Sequence, residues 1–158
     1  MSDQEKSRKN KMAAKRKVMD LVARRDHSEK ELRQKLRDKF SNDEDSKESL
    51  EELIQEAIDY AKDNRWLGDP QEMAYRLADM LHRRNKGIYY INNYLREKGL
   101  PSVDKDQAQE LEKALDLVHS KWGENSETSR EEKARICRFL AARGFDSETV
   151  RKVIYEKL

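Results

Sequence analysis

The chain has 158 residues, the size of one ordinary domain or of a short array of smaller modules. Charged side chains make up 42% of it and hydrophobic ones 35%, but 34 Lys and Arg nearly cancel 32 Asp and Glu, and the resulting net charge of +2 argues against disorder. No stretch approaches the about 18 apolar residues of a membrane span, five Gly and two Pro suit an all-β sandwich poorly, and the lone Cys137 excludes an intramolecular disulfide framework.

What remains is a helical protein whose scarce apolar area is laid out as one stripe per helix; with no apolar leader and one thiol, a cytoplasmic location is the expectation. The first twelve residues, polar and mixed in charge, read as a flexible solvated tail. Val18, Leu21 and Val22 then recur at helical spacing. A second helix opens at Ser28, where Ser28 and Glu31 have the spacing of a capping box, and buries Leu32, Leu36 and Phe40. Leu50, Leu53, Ile54, Ala57, Ile58 and Ala61 mark a longer third helix, with Trp66 after it as the seal to the next unit. Asp69-Pro70 is an N-cap followed by proline at the first helical position, opening a helix that carries Met73, Leu77, Met80 and Leu81. Gly87 interrupts it; Ile91 and Leu95 follow, and Gly99 and Pro101 end that segment. Ser102 is the expected start of the next helix, with Leu111, Leu115, Val118 and Trp122 inward. A second box at Ser129 and Glu132 opens a helix with Ile136, Phe139 and Leu140; Gly144 breaks it, and Val150, Val153 and Ile154 close the series.

These elements repeat at a lag of 59 residues. Val18 meets Leu77 and Ile136, Leu32 meets Ile91 and Val150, and Leu36 meets Leu95 and Ile154. Arg25, Arg84 and Arg143 share a column, as do Lys39, Lys98 and Lys157. The expectation is an all-α fold of tandem three-helix-bundle repeats in an elongated curved array, the last repeat lacking its third helix. Its divisions are the tail at 1–12, a first repeat at 13–66, a second at 67–123 and a partial two-helix repeat at 124–158. Such units bury little alone and share core contacts with their neighbours.

No catalytic constellation emerges. His27, His82 and His119 lie in different segments without metal-ligand spacing, Cys137 sits just off an apolar stripe, and no phosphate-loop or nucleophile-elbow motif occurs. An enzyme is therefore not expected, nor a metal or cofactor. Charge placement is more informative: residues 1–40 hold 14 Lys/Arg against 7 Asp/Glu, and residues 41–60 hold 1 against 8. The basic end, with Arg24, Arg25, Lys30, Arg33 and Arg37, suits phosphates or an acidic protein. Tyr89, Tyr90 and Tyr94 crowd one helix beside Ile91, so at least one is expected to face out, for base stacking or a protein contact, the equal alternative being partial burial against the neighbouring unit.

Across residues 13–158 the sequence resembles the RecX regulators of the bacterial recombinase RecA. The likeness rests on Leu21-x-x-Arg24-Arg25-x-x-Ser28-x-x-Glu31-Leu32-x-x-Lys35-Leu36, on Trp66-Leu67-Gly68-Asp69 with Ala74, on Arg84-Asn85-Lys86-Gly87 leading to Ile91, Leu95 and Lys98-Gly99-Leu100, and on Arg138-Phe139-Leu140-Ala141-Ala142-Arg143-Gly144-Phe145. It departs from the family where Ile88, Tyr89 and Tyr90 replace a proline and a basic residue, and where Tyr94 stands for glutamate. The resemblance implies a non-enzymatic cytoplasmic protein of DNA repair, homologous recombination and the SOS response. It would bind the RecA filament on single-stranded DNA and modulate, usually by inhibition, strand exchange, ATP hydrolysis and coprotease activity, without membrane attachment or cofactor; a monomer is the expectation. From charge and register, the candidate contact residues are Arg24, Arg25, Arg33, Arg37, Arg83, Arg84, Lys86, Arg96 and Arg143. The alternative is a helical-repeat protein that binds DNA or RNA directly through its basic N-terminal half.

Overall fold

The computed structural model describes residues 2–124 and 128–157. Among them are eight α-helices and no strand: α1 (Asp3–Arg24), α2 (Glu29–Phe40), α3 (Lys47–Asp63), α4 (Pro70–Arg83), α5 (Ile88–Glu97), α6 (Gln107–Trp122), α7 (Arg130–Ala142) and α8 (Ser147–Lys152), the last continuing into a π-helical turn at Val153–Lys157. The fold is all-α, consistent with helical repeats. The 59-residue lag reappears in the helix ends. One set of helices stops at Arg24, Arg83 and Ala142; the next set starts at Glu29, Ile88 and Ser147.

The chain divides into two compact units, Met1–Met73 with Lys98–Leu100, and Ala74–Glu97 with Pro101–Leu158. In the first unit, Ala14, Val18 and Leu21 of α1, Leu32, Leu36 and Phe40 of α2, and the α3 stripe Leu50, Leu53, Ile54, Ala57, Ile58 and Ala61 form one buried core. Val22, Trp66 and Leu67 pack on its edge, and Trp66 meets Tyr60 edge-on with ring centroids 5.2 Å apart. The capping box is complete: Ser28 Oγ accepts from the Glu31 amide (3.1 Å), and the Ser28 amide donates to Glu31 Oε1 (3.3 Å). In the second unit, Ala114 and Val118 of α6 share a core with Ile136, Leu140, Phe145, Val153 and Ile154. Trp122 and Phe139 pack edge-on beside it at 5.2 Å.

Three expectations need correction. Residues 3–12 are not an irregular tail but the first half of α1, capped by Ser2, whose Oγ accepts from the Glu5 amide (3.2 Å). Its polar side chains meet the acidic segment: Lys6 pairs with Asp45 (3.9 Å), Asn10 donates to Glu44 (3.1 Å) and Lys11 pairs with Glu56 (3.2 Å). Secondly, α6 starts at Gln107 behind the N-cap Asp106, not at Ser102. Before it, Asn92 holds the chain extended by accepting from the Val103 amide (2.8 Å) and donating to the Val103 carbonyl (3.1 Å). Thirdly, α6 also turns Glu110 and Lys113 inward; Val118 is buried as expected, and Leu111, Leu115 and Trp122 pack half-buried against the core.

Candidate functional site

The turn between α4 and α5 is the most constrained polar feature of the second unit. Its counterparts in the same column explain why. Helix α2 is capped by Ser28 and helix α8 by Asp146, whose Oδ1 accepts from the Thr149 amide (3.3 Å). The middle helix has Gly87 there, which offers no cap. A side chain would not fit: a Cβ on Gly87 would lie 2.3 Å from the Gly144 backbone. Close approach allows the Gly87 amide to donate to the Arg143 carbonyl (2.9 Å) and the Tyr89 amide to the Gly144 carbonyl (2.9 Å). Gly144 itself has φ +90°, and a Cβ there would meet Tyr90 at 2.5 Å.

The missing cap comes from α6. Glu110, fully buried, accepts from the Ile88 amide through Oε1 (2.7 Å). Its other oxygen forms an ion pair with Lys113, which is 5% exposed. Lys113 Nζ also donates to the Lys86 carbonyl (2.6 Å) and to His82 Nδ1 (2.8 Å). Burial, then the adjoining Lys113 ammonium, lowers the His82 pKa, which keeps its ring neutral and able to accept. Burial also pulls the Lys113 pKa down, against the opposing pull of Glu110. Thus the Lys86 carbonyl and the amides of Gly87, Ile88 and Tyr89 are all bonded to α6 or to the α7–α8 turn. The segment is held rigidly.

This fixed turn is rich in cations that form no ion pair among the described residues, with Asp79 and Asp106 among the carboxylates that act on His82 beside it. Residues 80–96 contain four Lys or Arg (Arg83, Arg84, Lys86, Arg96) and no Asp or Glu. Arg83 and Arg84 are exposed; among the described residues Arg83 Nε donates to the Asp79 carbonyl (3.4 Å) and neither side chain forms an ion pair. Lys86 Nζ lies 4.8 Å from the Tyr90 ring centroid, and the Arg143 guanidinium lies 4.7 Å from that of Phe139. The Gly87–Arg143 backbone bond therefore sets the chain segments that carry Lys86 and Arg143 side by side, with Arg83 and Arg84 a few residues before Lys86 along the chain. Arg96 is exposed towards the far end of α5.

The first-unit candidates are differently placed. Arg25 bonds Glu31 (2.9 Å) and the Asp26 carbonyl (2.9 Å). Arg33 donates to Gln55 (2.7 Å) and pairs with Glu29 (3.5 Å), and Arg37 grips Glu51 through Nε (3.2 Å) and Nη2 (3.1 Å). Arg24 is exposed, with no ion pair among the described residues. Burial raises the Glu31 pKa, but Arg25, the Ser28 amide and Lys98 outweigh it and bring it to about 2. Acids of the first unit thus engage Lys6, Lys11, Arg25, Arg33 and Arg37, with Asp45, Glu56 and Glu51 of the acidic segment taking three of the five. Among the described residues no group of His, Cys, Asp and Glu is arranged to hold a metal ion, and no helix is long and apolar enough to cross a membrane.

Sequence reasoning missed Glu110 and Lys113. The available signal was the cap column itself, Ser28, Gly87 and Asp146, where a glycine demands an acceptor from elsewhere.

Two family models match: the first three-helix domain of RecX over residues 14–60 and the third three-helix domain of RecX over residues 108–154. The regulatory protein RecX of Serratia proteamaculans (strain 568) is 30% identical, over 86% of this chain and 92% of its own length. That of Acinetobacter baylyi (strain ATCC 33305 / BD413 / ADP1) is 32% identical, over 85% and 82%. The crystal structure of RecX from Lactobacillus salivarius superposes with a TM-score of 0.63 at 18% identity, covering 97% of both chains. With its helix pairs in register and a relative at this identity matched along nearly its whole length, the chain belongs to the RecX family of regulatory proteins.

Proposed function

We propose that this chain is a non-enzymatic cytoplasmic regulator that binds RecA filaments on single-stranded DNA and restrains them, inhibiting strand exchange, ATP hydrolysis and coprotease activity. The observation that carries the reading is family membership joined to the fixed, acid-free turn bearing Arg83, Arg84 and Lys86 beside Arg143. A rigid cationic projection loses little side-chain and loop entropy on meeting an acidic surface. The repeats at 13–66, 67–123 and 124–158 would each add a weak contact along a repeating polymer, and linked contacts reinforce one another through effective concentration. Arg24, Arg25, Arg33, Arg37 and Arg96 complete the contact set in this proposal. The protein acts as a monomer without a cofactor, and the ATP hydrolysed is RecA's.

Direct binding of DNA or RNA through the basic N-terminal half is disfavoured. Lys6, Lys11, Arg25, Arg33 and Arg37 face acceptors of their own unit, which compete with phosphate. The test is a titration of DNA-dependent ATP hydrolysis by RecA. Suppression at well below one molecule per RecA protomer is expected. Suppression only when the protein suffices to coat the DNA would instead indicate competition for the strand.

A further inference from the structure

We infer that the α4–α5 turn is also a stacking platform for naked single-stranded nucleic acid, with Tyr89 receiving a base and Lys86, Arg83, Arg84 and Arg143 tracking the phosphates. This deepens the reading above and rests on it in one respect, that the turn is the partner-facing part of the second unit. Tyr89 is 63% exposed, on the first turn of α5. Among the described residues its side chain has no ring, cation or hydrogen-bond partner, although its amide is fixed by the Gly144 carbonyl. Its neighbour Tyr90 is used differently: Lys86 lies over its ring, and its Cβ and backbone press on Gly144. One tyrosine anchors the platform and the other presents a free face.

Exposure alone does not select the site. Tyr155 is more exposed, at 79%, but its groove balances Arg151 and Lys152 against Glu148 and Glu156, and Lys152 is engaged by Glu148 (3.8 Å), so little free positive charge is left for phosphate. Around Tyr89 the sequence from 80 to 96 supplies four cations and no acid, and the buried Glu110 is neutralised by Lys113. A free aromatic face on a turn that also carries Arg83, Arg84 and Lys86 fits a strand with unpaired bases, because every base offers a π-face and the backbone offers the charge. A duplex has its faces stacked away, and an acidic protein surface needs the cations but not the ring. The rigid turn adds to the fit, since the ring is presented without a loop having to be ordered.

The experiment measures binding of the full-length protein to a fluorescein-labelled oligothymidylate at near-physiological ionic strength. An oligomer of abasic phosphodiester serves as the backbone-only control. Tyr89→Ala is expected to weaken oligothymidylate binding roughly 5- to 100-fold, as loss of one stacked base does. Tyr89→Phe should retain binding, and neither change should alter the weaker affinity for the abasic oligomer. Helical content checks that both variants fold. Equal affinity of wild type and Tyr89→Ala for oligothymidylate, or equal affinity of the wild type for both oligomers, would overturn the inference. So would absence of oligothymidylate binding at this ionic strength. The RecA hydrolysis titration on the same samples separates the two ideas: suppression without oligothymidylate binding sinks the platform alone, and oligothymidylate binding without suppression sinks the regulator reading alone.

Discussion

Glu110 and Lys113 are charged residues in a place where apolar ones would cost less. A buried ion pair gains little net stability, because removing two charges from water offsets most of their attraction. What the pair supplies here is direction: the carboxylate takes the Ile88 amide and the ammonium takes the Lys86 carbonyl, so two backbone groups flanking Gly87 are fixed in place. The neighbouring His82 must then stay neutral. Its pKa is lowered by burial and by Lys113, and that of His27 is lowered chiefly by burial. Both rings take up protons more readily in the unfolded chain, so their contribution to stability is complete above about pH 6.5 and declines as the pH falls below it. Glu31 acts in a lower window. With its pKa at about 2 against 4.5 for the free group, its contribution is complete above 4.5 and is lost as the pH falls towards 2. Urea denaturation as a function of pH should therefore show stability falling first below pH 6.5, with His82→Asn flattening that part of the profile; an unchanged profile in the variant would exclude His82 as its source.

The helix pairs follow the 59-residue period so closely because most ends of the turns are encoded locally. Helix stops at Arg24, Arg83 and Ala142 and starts at Glu29 and Ser147 reflect cap residues and apolar stripes, which are sequence-neighbour effects, whereas the start at Ile88 takes its cap from Glu110. The first-unit core was legible for the same reason, from Val18 through Leu36 to Ala61. Features that depend on distant partners were not. The first half of α1 looks like a tail because its stabilising groups, Asp43 to Glu56, lie more than thirty residues away. The inner face of α6 looks apolar through Leu111 and Leu115, whereas uncapped Ile88 draws Glu110 and Lys113 inward. The charge of Arg33 and Arg37 was visible, but their engagement by Gln55 and Glu51 was not. The borrowed cap gives a prediction at this scale. Glu110→Ala leaves Lys113 buried without its counter-ion and the Ile88 amide without an acceptor, at a cost of about 3–5 kcal/mol. Replacing the pair together, as Glu110→Leu with Lys113→Met, should cost less than Glu110→Ala alone. Chemical denaturation measures both, and a double variant at least as unstable as the single one would contradict the account.

For the molecule as a whole, its near-zero net charge conceals a division of labour. In the first unit, acidic α3 and the segment before it meet the cations of α1 and α2. In the second unit, the α4–α5 turn carries cations that form no ion pair among the described residues, on a backbone bonded at four successive polar groups. Recognition of a charged polymer by this protein should accordingly depend on the turn and little on the basic N-terminal helix, although the N-terminal end holds more Lys and Arg. The most direct test is co-sedimentation with preassembled RecA filaments on single-stranded DNA at near-physiological ionic strength, comparing wild type, Arg83→Ala with Arg84→Ala, and Arg33→Ala with Arg37→Ala. The wild type and the Arg33/Arg37 variant should pellet with the filaments, and the Arg83/Arg84 variant should remain largely in the supernatant with its helical content unchanged. Wild-type protein left in the supernatant, or an Arg83/Arg84 variant that pellets as well as the wild type, would contradict the account.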